Sequence, residues 1–141
     1  RPFGVAAFSV RAVDRLFARN ERMVAVFDTA RGPMAVVMVG AINVSSIETV
    51  WAGAITPPRG RSIRRWFYRG SDARSIQRGD EMGRFNMGST VIVLFGPDQM
   101  DWLPELQADQ KVRMGEALGR YAASGDSNVV QLDAYLKSRS Q

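Results

Sequence analysis

The sequence predicts a mainly β domain, a compact β-sandwich or barrel-like unit with short helices at its termini. Three observations lead there. The apolar residues fall in short runs rather than long helical periods, turn-forming residues separate those runs, and one run, Thr90–Phe95, is built of strand-favouring residues and closed by Gly96-Pro97. A chain of 141 residues suits one domain and buries roughly two-thirds of its unfolded surface. Its 45% apolar and 23% charged residues are ordinary for a globular protein, which argues against wholesale disorder and against a membrane-embedded chain.

Taken in order, Val10, Val13, Leu16 and Phe17 have a spacing that suits a short helix or an irregular lead-in over residues 10–20. Residues 23–27 (Met-Val-Ala-Val-Phe) read as a strand, residues 29–33 supply turn chemistry, and residues 34–39 begin a second strand, so this region is expected to form a hairpin. Gly40 interrupts the apolar run. Ile47, Thr49 and Trp51 then alternate with Ser46, Glu48 and Val50, consistent with a bulge or bend between strands. A further strand is expected over residues 63–68, between loops carrying Pro57-Pro58, Gly60 and Gly70, with Trp66 and Phe67 on opposite faces. Residues 78–81 form a turn, Thr90–Phe95 a buried strand, and residues 112–118 a last strand. From Ser124 onward, Val129, Leu132 and Leu136 suggest a short amphipathic helix, in a polar tail spanning residues 121–141. Met23, Met34, Met38, Met82 and Met87 read as core fillers.

The chain has no cysteine and no histidine. A disulfide framework, a thiolate site and the usual neutral-pH acid–base group are thereby excluded from these residues, and no metal site is expected. Chemistry must come from hydroxyls, carboxylates, arginines or a group made after translation. The stretch Gly83-Arg84-Phe85-Asn86-Met87-Gly88-Ser89-Thr90 places a Gly-Ser bond at the entrance of the strongest strand. No apolar run approaches the roughly 20 residues that span a bilayer, and Arg1-Pro2-Phe3-Gly4 lacks the apolar core of a signal peptide, so the cytoplasm is the expected compartment. The net charge of +5 comes almost wholly from arginine, since Lys111 and Lys137 are the only lysines, and such a surface attracts phosphate-bearing partners. Residues 58–69 interleave five arginines with Trp66, Phe67 and Tyr68. That pattern suits a solvated charged face, contact with anionic lipid, or a single-strand nucleic-acid platform, in that order of preference. Glu48 with Asp80-Glu81 could form a carboxylate pair, but nothing in the sequence sets their separation.

Several segments in the same order resemble the C-terminal half of phosphatidylserine decarboxylase, over about Phe8 to Leu118. They are Leu16-Phe17-Ala18-Arg19-Asn20-Glu21-Arg22, Phe27-Asp28-Thr29, Gly32-Pro33-Met34-Ala35, Val39-Gly40-Ala41, Ser46-Ile47-Glu48-Thr49-Val50-Trp51-Ala52-Gly53, Ile55-Thr56-Pro57-Pro58 and Gly83-Arg84-Phe85 through Gly88-Ser89-Thr90. The resemblance implies a proenzyme, with residues 1–120 as part of its catalytic domain, that cuts itself between Gly88 and Ser89 into residues 1–88 and 89–141. The Ser89 hydroxyl would attack the Gly88 carbonyl and end as a covalent pyruvoyl cofactor, which decarboxylates phosphatidylserine to phosphatidylethanolamine through a Schiff base. Serine suits this because its oxygen must attack and then leave, and a preceding glycine permits close approach.

The resemblance further implies phosphatidylserine and an anionic membrane surface as partners, with a peripheral location on the cytoplasmic face of the inner membrane and no nucleic-acid partner. The family carries upstream segments with a catalytic histidine and aspartate. Phe8-Ser9-Val10 resembles the stretch before that histidine, yet here it passes straight to Arg11. Asp28, Glu48, Asp80 and Glu81 do not match the family aspartate, so an N-terminal portion of the enzyme is a further expected partner. Ser45 stands where the family has glycine and Met87 where it has leucine. The alternatives are an inactive fragment, a non-catalytic β-barrel binding module, or an arginine-rich binder of single-stranded nucleic acid.

Overall fold

Strands Arg22–Thr29 (β1) and Gly32–Val39 (β2) form the expected hairpin, with Met23 opposite Met38 and Ala25 opposite Val36. The computed structural model describes residues 11–41, 46–56, 62–86 and 90–122, and the backbone of 129–137. Before the hairpin, a single turn of helix Leu16–Arg19 (α1) ends where Arg22 folds back over it. Its guanidinium donates to the carbonyls of Phe17 and Ala18, both at 2.7 Å, and of Asn20 at 3.3 Å. A helix end leaves such carbonyls without partners, and one arginine satisfies three of them here. In the hairpin turn, the Thr29 hydroxyl accepts from the Arg31 amide at 3.1 Å and donates to the Gly32 carbonyl at 2.7 Å. Gly32 has φ +103°, a conformation that glycine adopts without steric cost.

Beyond the hairpin come Ile47–Thr49 (β3), Gly53–Ala54 (β4), Arg64–Phe67 (β5), Ser75–Gln77 (β6), Gly83–Phe85 (β7), Thr90–Phe95 (β8), Met100–Trp102 (β9), Gly119–Tyr121 (β10) and Val129–Lys137 (β11). All the described pairings are antiparallel. The main sheet runs β5-β11-β1-β2-β8, with β6 alongside the other end of β11; a three-stranded sheet runs β4-β3-β7. Strands β9 and β10 form a ribbon that packs on the end of β8, where Phe95 meets Trp102 and Tyr121 edge-to-face at 6.1 and 6.0 Å between ring centres.

The two sheets pack face to face. Met23, Ala25 and Phe27 alternate along β1 with half-buried Val24 and Val26, and the buried row joins Val36 and Met38 of β2. Ile47 and Ile55 come down on that row from the small sheet, and Met34, Trp66, Tyr68, Ile76, Met82 and Phe85 pack around it. Burying a side chain such as Phe27 or Ile47 contributes about 1.5–3 kcal/mol. A slip of one residue in the hairpin would exchange this row for Val24 and Val26, so the core itself holds the register.

The mainly β class, the hairpin, the helical lead-in and the strand near residue 65 are as expected, and four methionines take part in the core or its margin. Met87, Ser45 and the bend expected after Gly40 lie outside the described residues. Three expectations need correction. The helix expected after Ser124 is instead strand β11, paired to β1 along eight residues. Its apolar spacing suits a helix, but β1 offers a full row of backbone donors and acceptors, and a ladder that satisfies them prevails over local periodicity. The strand expected over residues 112–118 is a loop, because Gly115 at φ +84° turns the chain and the Arg113 amide donates to the Glu116 carboxylate at 2.8 Å. Strand pairing begins only at Gly119. Finally, β8 is an edge strand and not a buried one, with Val91 and Leu94 about half exposed.

This packing predicts that Phe27→Ala lowers the unfolding free energy by about 3–5 kcal/mol in a denaturant titration. Phe67, 56% exposed, gives the contrast: Phe67→Ala is expected to change it by less than about 0.5 kcal/mol.

Candidate active site

Strand β7 belongs to the small sheet and β8 to the main sheet, so residues 86–89 connect the two layers. Met87, Gly88 and Ser89 themselves lie outside the described residues. The residues on both sides are held tightly. Upstream, Ile47 pairs with Phe85, Glu48 with Arg84 and Thr49 with Gly83. Gly83 is needed for this approach: a Cβ there would run into the Glu48 carbonyl oxygen and lie 3.3 Å from the Thr49 Cα. Downstream, Thr90 pairs with Val39, which is fully buried.

Asn86 fixes the last described residue before the Gly-Ser bond. Its backbone amide donates to the Ser46 carbonyl at 3.3 Å, and its side-chain amide donates to the Ser46 hydroxyl and, at 3.2 Å, to Glu48 Oε1. Ser46 and Glu48 are held in turn by the neighbouring Ile47. The Ile47 amide donates to the buried Thr56 hydroxyl at 2.8 Å, and its carbonyl accepts from the amides of Ile55 at 2.7 Å and Thr56 at 3.3 Å. The segments 46–49, 55–56 and 83–86, far apart in the chain, thus form one hydrogen-bonded support that ends at Asn86.

Ser46 and Asn86 both fall within the segments that resemble the family, but no local pattern in the sequence brings them together. Their role follows from the β3–β7 register alone.

The carboxylates are not a catalytic pair. Arg84 Nε lies 3.2 Å from Glu81 and 3.7 Å from Glu48 and so bridges them. These side chains are substantially exposed, so each ion pair is worth about 0–1 kcal/mol and serves mainly to orient Glu48. An open hollow of about 370 Å³, lined by Val50, Trp51, Arg74, Ser75 and Ile76, lies beyond the opposite end of β3 from Asn86, and so does not belong to this support.

The arginine-rich segment also resolves into two faces. Trp66 and Tyr68 pack against the core while Phe67 is exposed, as the alternation predicts. Three consecutive aromatics therefore do not make one stacking platform. Burial raises the Tyr68 hydroxyl above the ordinary tyrosine range, against an opposing pull from Arg74.

A mainly β domain whose two sheets are joined through a Gly-Ser link is thus what the comparisons have to account for. The chain belongs to the phosphatidylserine decarboxylase family, whose description matches residues 2–120. Among curated relatives, the phosphatidylserine decarboxylase proenzyme of Nitrosococcus oceani is 54% identical over 129 residues, covering 92% of this chain and 42% of that protein. That of Methylococcus capsulatus is 58% identical over 117 residues, 83% of this chain and 40% of the other. That of Alkalilimnicola ehrlichii is 66% identical over 94 residues, covering 67% and 33%. The chain spans about two-fifths of the length of the first two of these relatives. No solved structure matches it.

The support makes two substitutions informative. Gly83→Ala is expected to destabilise the protein by about 1–3 kcal/mol, measured by thermal or urea unfolding, because the clash is with backbone and cannot be relieved by a side-chain rotation. Asn86→Asp removes a donor and sets a second carboxylate beside Glu48. Its cost, about 0.5–1.5 kcal/mol near neutral pH, should shrink as pH falls below the ordinary carboxylate range near about 4, whereas that of Asn86→Leu should change little over the same range.

Proposed function

We propose that this chain is the C-terminal portion of a pyruvoyl-dependent phosphatidylserine decarboxylase, and that Gly88-Ser89 is the bond its proenzyme breaks. The observation that carries this reading is the match over residues 2–120 to a family whose curated relatives are named proenzymes, a match that includes Gly88-Ser89-Thr90. Supporting it, the chain on both sides of the bond is anchored, through Asn86 and through Thr90, so a reaction in between can proceed against a fixed frame.

In the cleavage, Ser89 Oγ adds to the Gly88 carbonyl carbon as its proton passes to a base. The C–N bond breaks, and the amide becomes an ester. Loss of the Ser89 α-proton then expels the Gly88 carboxylate and frees residues 1–88. The unsaturated amine left on residue 89 takes up water and releases ammonia, which leaves a pyruvoyl group heading residues 89–141. This group supplies a ketone that can engage the primary amine of phosphatidylserine and accept the electrons left by departing CO2.

Strand β8 fixes the chain directly behind that ketone. The base is not a histidine of this chain, which has none. Glu48, the acidic residue of the support, is already engaged by Arg84 and Asn86. On this reading the base is supplied by another part of the enzyme, and a positioned base is typically worth about 10²- to 10⁴-fold in rate. On this reading the substrate is a membrane lipid, and the location proposed for the enzyme is peripheral, on the cytoplasmic face of the inner membrane.

Intact-mass measurement tests this reading on the chain co-expressed with the N-terminal portion of the Methylococcus capsulatus relative. Two pieces are expected, residues 1–88 and an N-terminally blocked 89–141, with Ser89→Ala giving a single uncut mass. One uncut mass from the unaltered chain would instead favour an inert fragment or a binding module.

A further inference from the structure

Residues 62–79 carry five arginines, Arg64, Arg65, Arg69, Arg74 and Arg78, against one acidic residue, Asp72. This local excess of four positive charges compares with +5 for the whole chain. The fold arranges these residues along one border of the main sheet. Strands β5 and β6 lie end to end on the same side of β11, with Arg64 to Phe67 against residues 136–133 and Ser75 to Gln77 against residues 131–129.

Strand alternation then sorts the side chains. Trp66, Tyr68 and Ile76 turn inward against the core. Arg64 also stays on the inner side, its guanidinium 5.3 Å from the Trp66 ring centre and donating to the Ile55 carbonyl at 2.9 Å. The outward row reads Ile63, Arg65, Phe67, Arg69, all exposed, with Ile63 at 48% and Phe67 at 56%. Arg69 lies over the Phe67 ring at 5.4 Å.

We infer that this outward row is a docking surface for an anionic lipid bilayer, with Ile63 and Phe67 entering the interface and Arg65 and Arg69 meeting lipid phosphates. The charge complementarity is direct, since Arg65 and Arg69 stand on the same row as exposed Ile63 and Phe67, whereas Arg64 lies over Trp66 and Arg74 over Tyr68, both of which pack inward. A purely solvated strand face has no need of two large apolar residues between its arginines, and a nucleic-acid platform needs successive aromatics on one face. Here only Phe67 is turned outward. Each arginine near an anionic surface contributes about 1 kcal/mol, roughly a fivefold change in partitioning.

The row lies on the opposite border of the main sheet from β8. Four inter-strand steps separate them, roughly 19 Å at the usual spacing. Docking and backbone cleavage therefore occupy separate parts of the molecule.

The test is flotation of the 141-residue chain with vesicles of phosphatidylcholine alone or of equimolar phosphatidylcholine and phosphatidylglycerol. Phosphatidylglycerol has no amine to engage a ketone, so the result is independent of the decarboxylase reading. Partitioning into the mixed vesicles alone is expected, weakening as salt rises. Arg65→Glu with Arg69→Glu should reduce it by about thirtyfold or more, from two lost fivefold contributions. Phe67→Ser should reduce it several-fold without altering net charge. Arg113→Glu with Arg120→Glu, the same charge change elsewhere, should leave partitioning within about twofold. Equal losses from both charge reversals, an unaffected Phe67→Ser variant, or retention on single-stranded oligonucleotide without vesicle binding would each overturn the inference.

Discussion

The constraint on which the rest of the structure depends is that the two ends of a four-residue link are fixed in different sheets. Phe85 and Asn86 are tied to β3, and Thr90 is tied to β2. Ile47 is the hinge of that arrangement. Its side chain is fully buried in the core shared by both layers, while its amide and carbonyl are taken up by Ile55 and Thr56. A shift of β3 would therefore disturb the core and move the support of Asn86 together. Gly83 adds a limit of its own, since β7 can lie this close to Glu48 and Thr49 only without a Cβ.

Magnitudes separate what stabilises the domain from what orients its parts. The buried row of β1 and β2 with Ile47 and Ile55 supplies most of the favourable free energy, at about 1.5–3 kcal/mol for each large side chain. The Arg84 ion pairs contribute about 0–1 kcal/mol each, being open to solvent. Their value is that Glu48 is held toward Asn86. A chain with no histidine or cysteine has few groups able to move a proton near neutral pH. What the described residues supply is a fixed chain on either side of the Gly-Ser link, at Asn86 and at Thr90.

The main sheet also divides the labour across its width. On one border, β8 leads directly out of the Gly-Ser link. On the other, β5 and β6 present the arginine-rich row. Strands β11, β1 and β2 lie between, and the inner face of that hairpin is core. Changes in surface charge on one border therefore need not reach the other.

Much of the fold was legible in the sequence because short-range rules govern it. Alternation in residues 23–27 and 34–39 with a turn between them leaves little besides a hairpin, and the same period of two put Trp66 and Phe67 on opposite faces. Gly88-Ser89 by itself is a common pair, and it was the ordered segments around it that pointed to the family. Tertiary structure decided the rest. Residues 129–137 have a spacing that suits a helix, and only an open row of backbone groups along β1 makes them a strand. The bridging of Glu48 and Glu81 by Arg84 and the meeting of Asn86 with Ser46 join residues up to 40 apart in the chain, and the pairing that sets β8 at the edge joins Met34 to Phe95. Such contacts arise from which strands pair and in what register, a result of packing the whole chain that no local window contains.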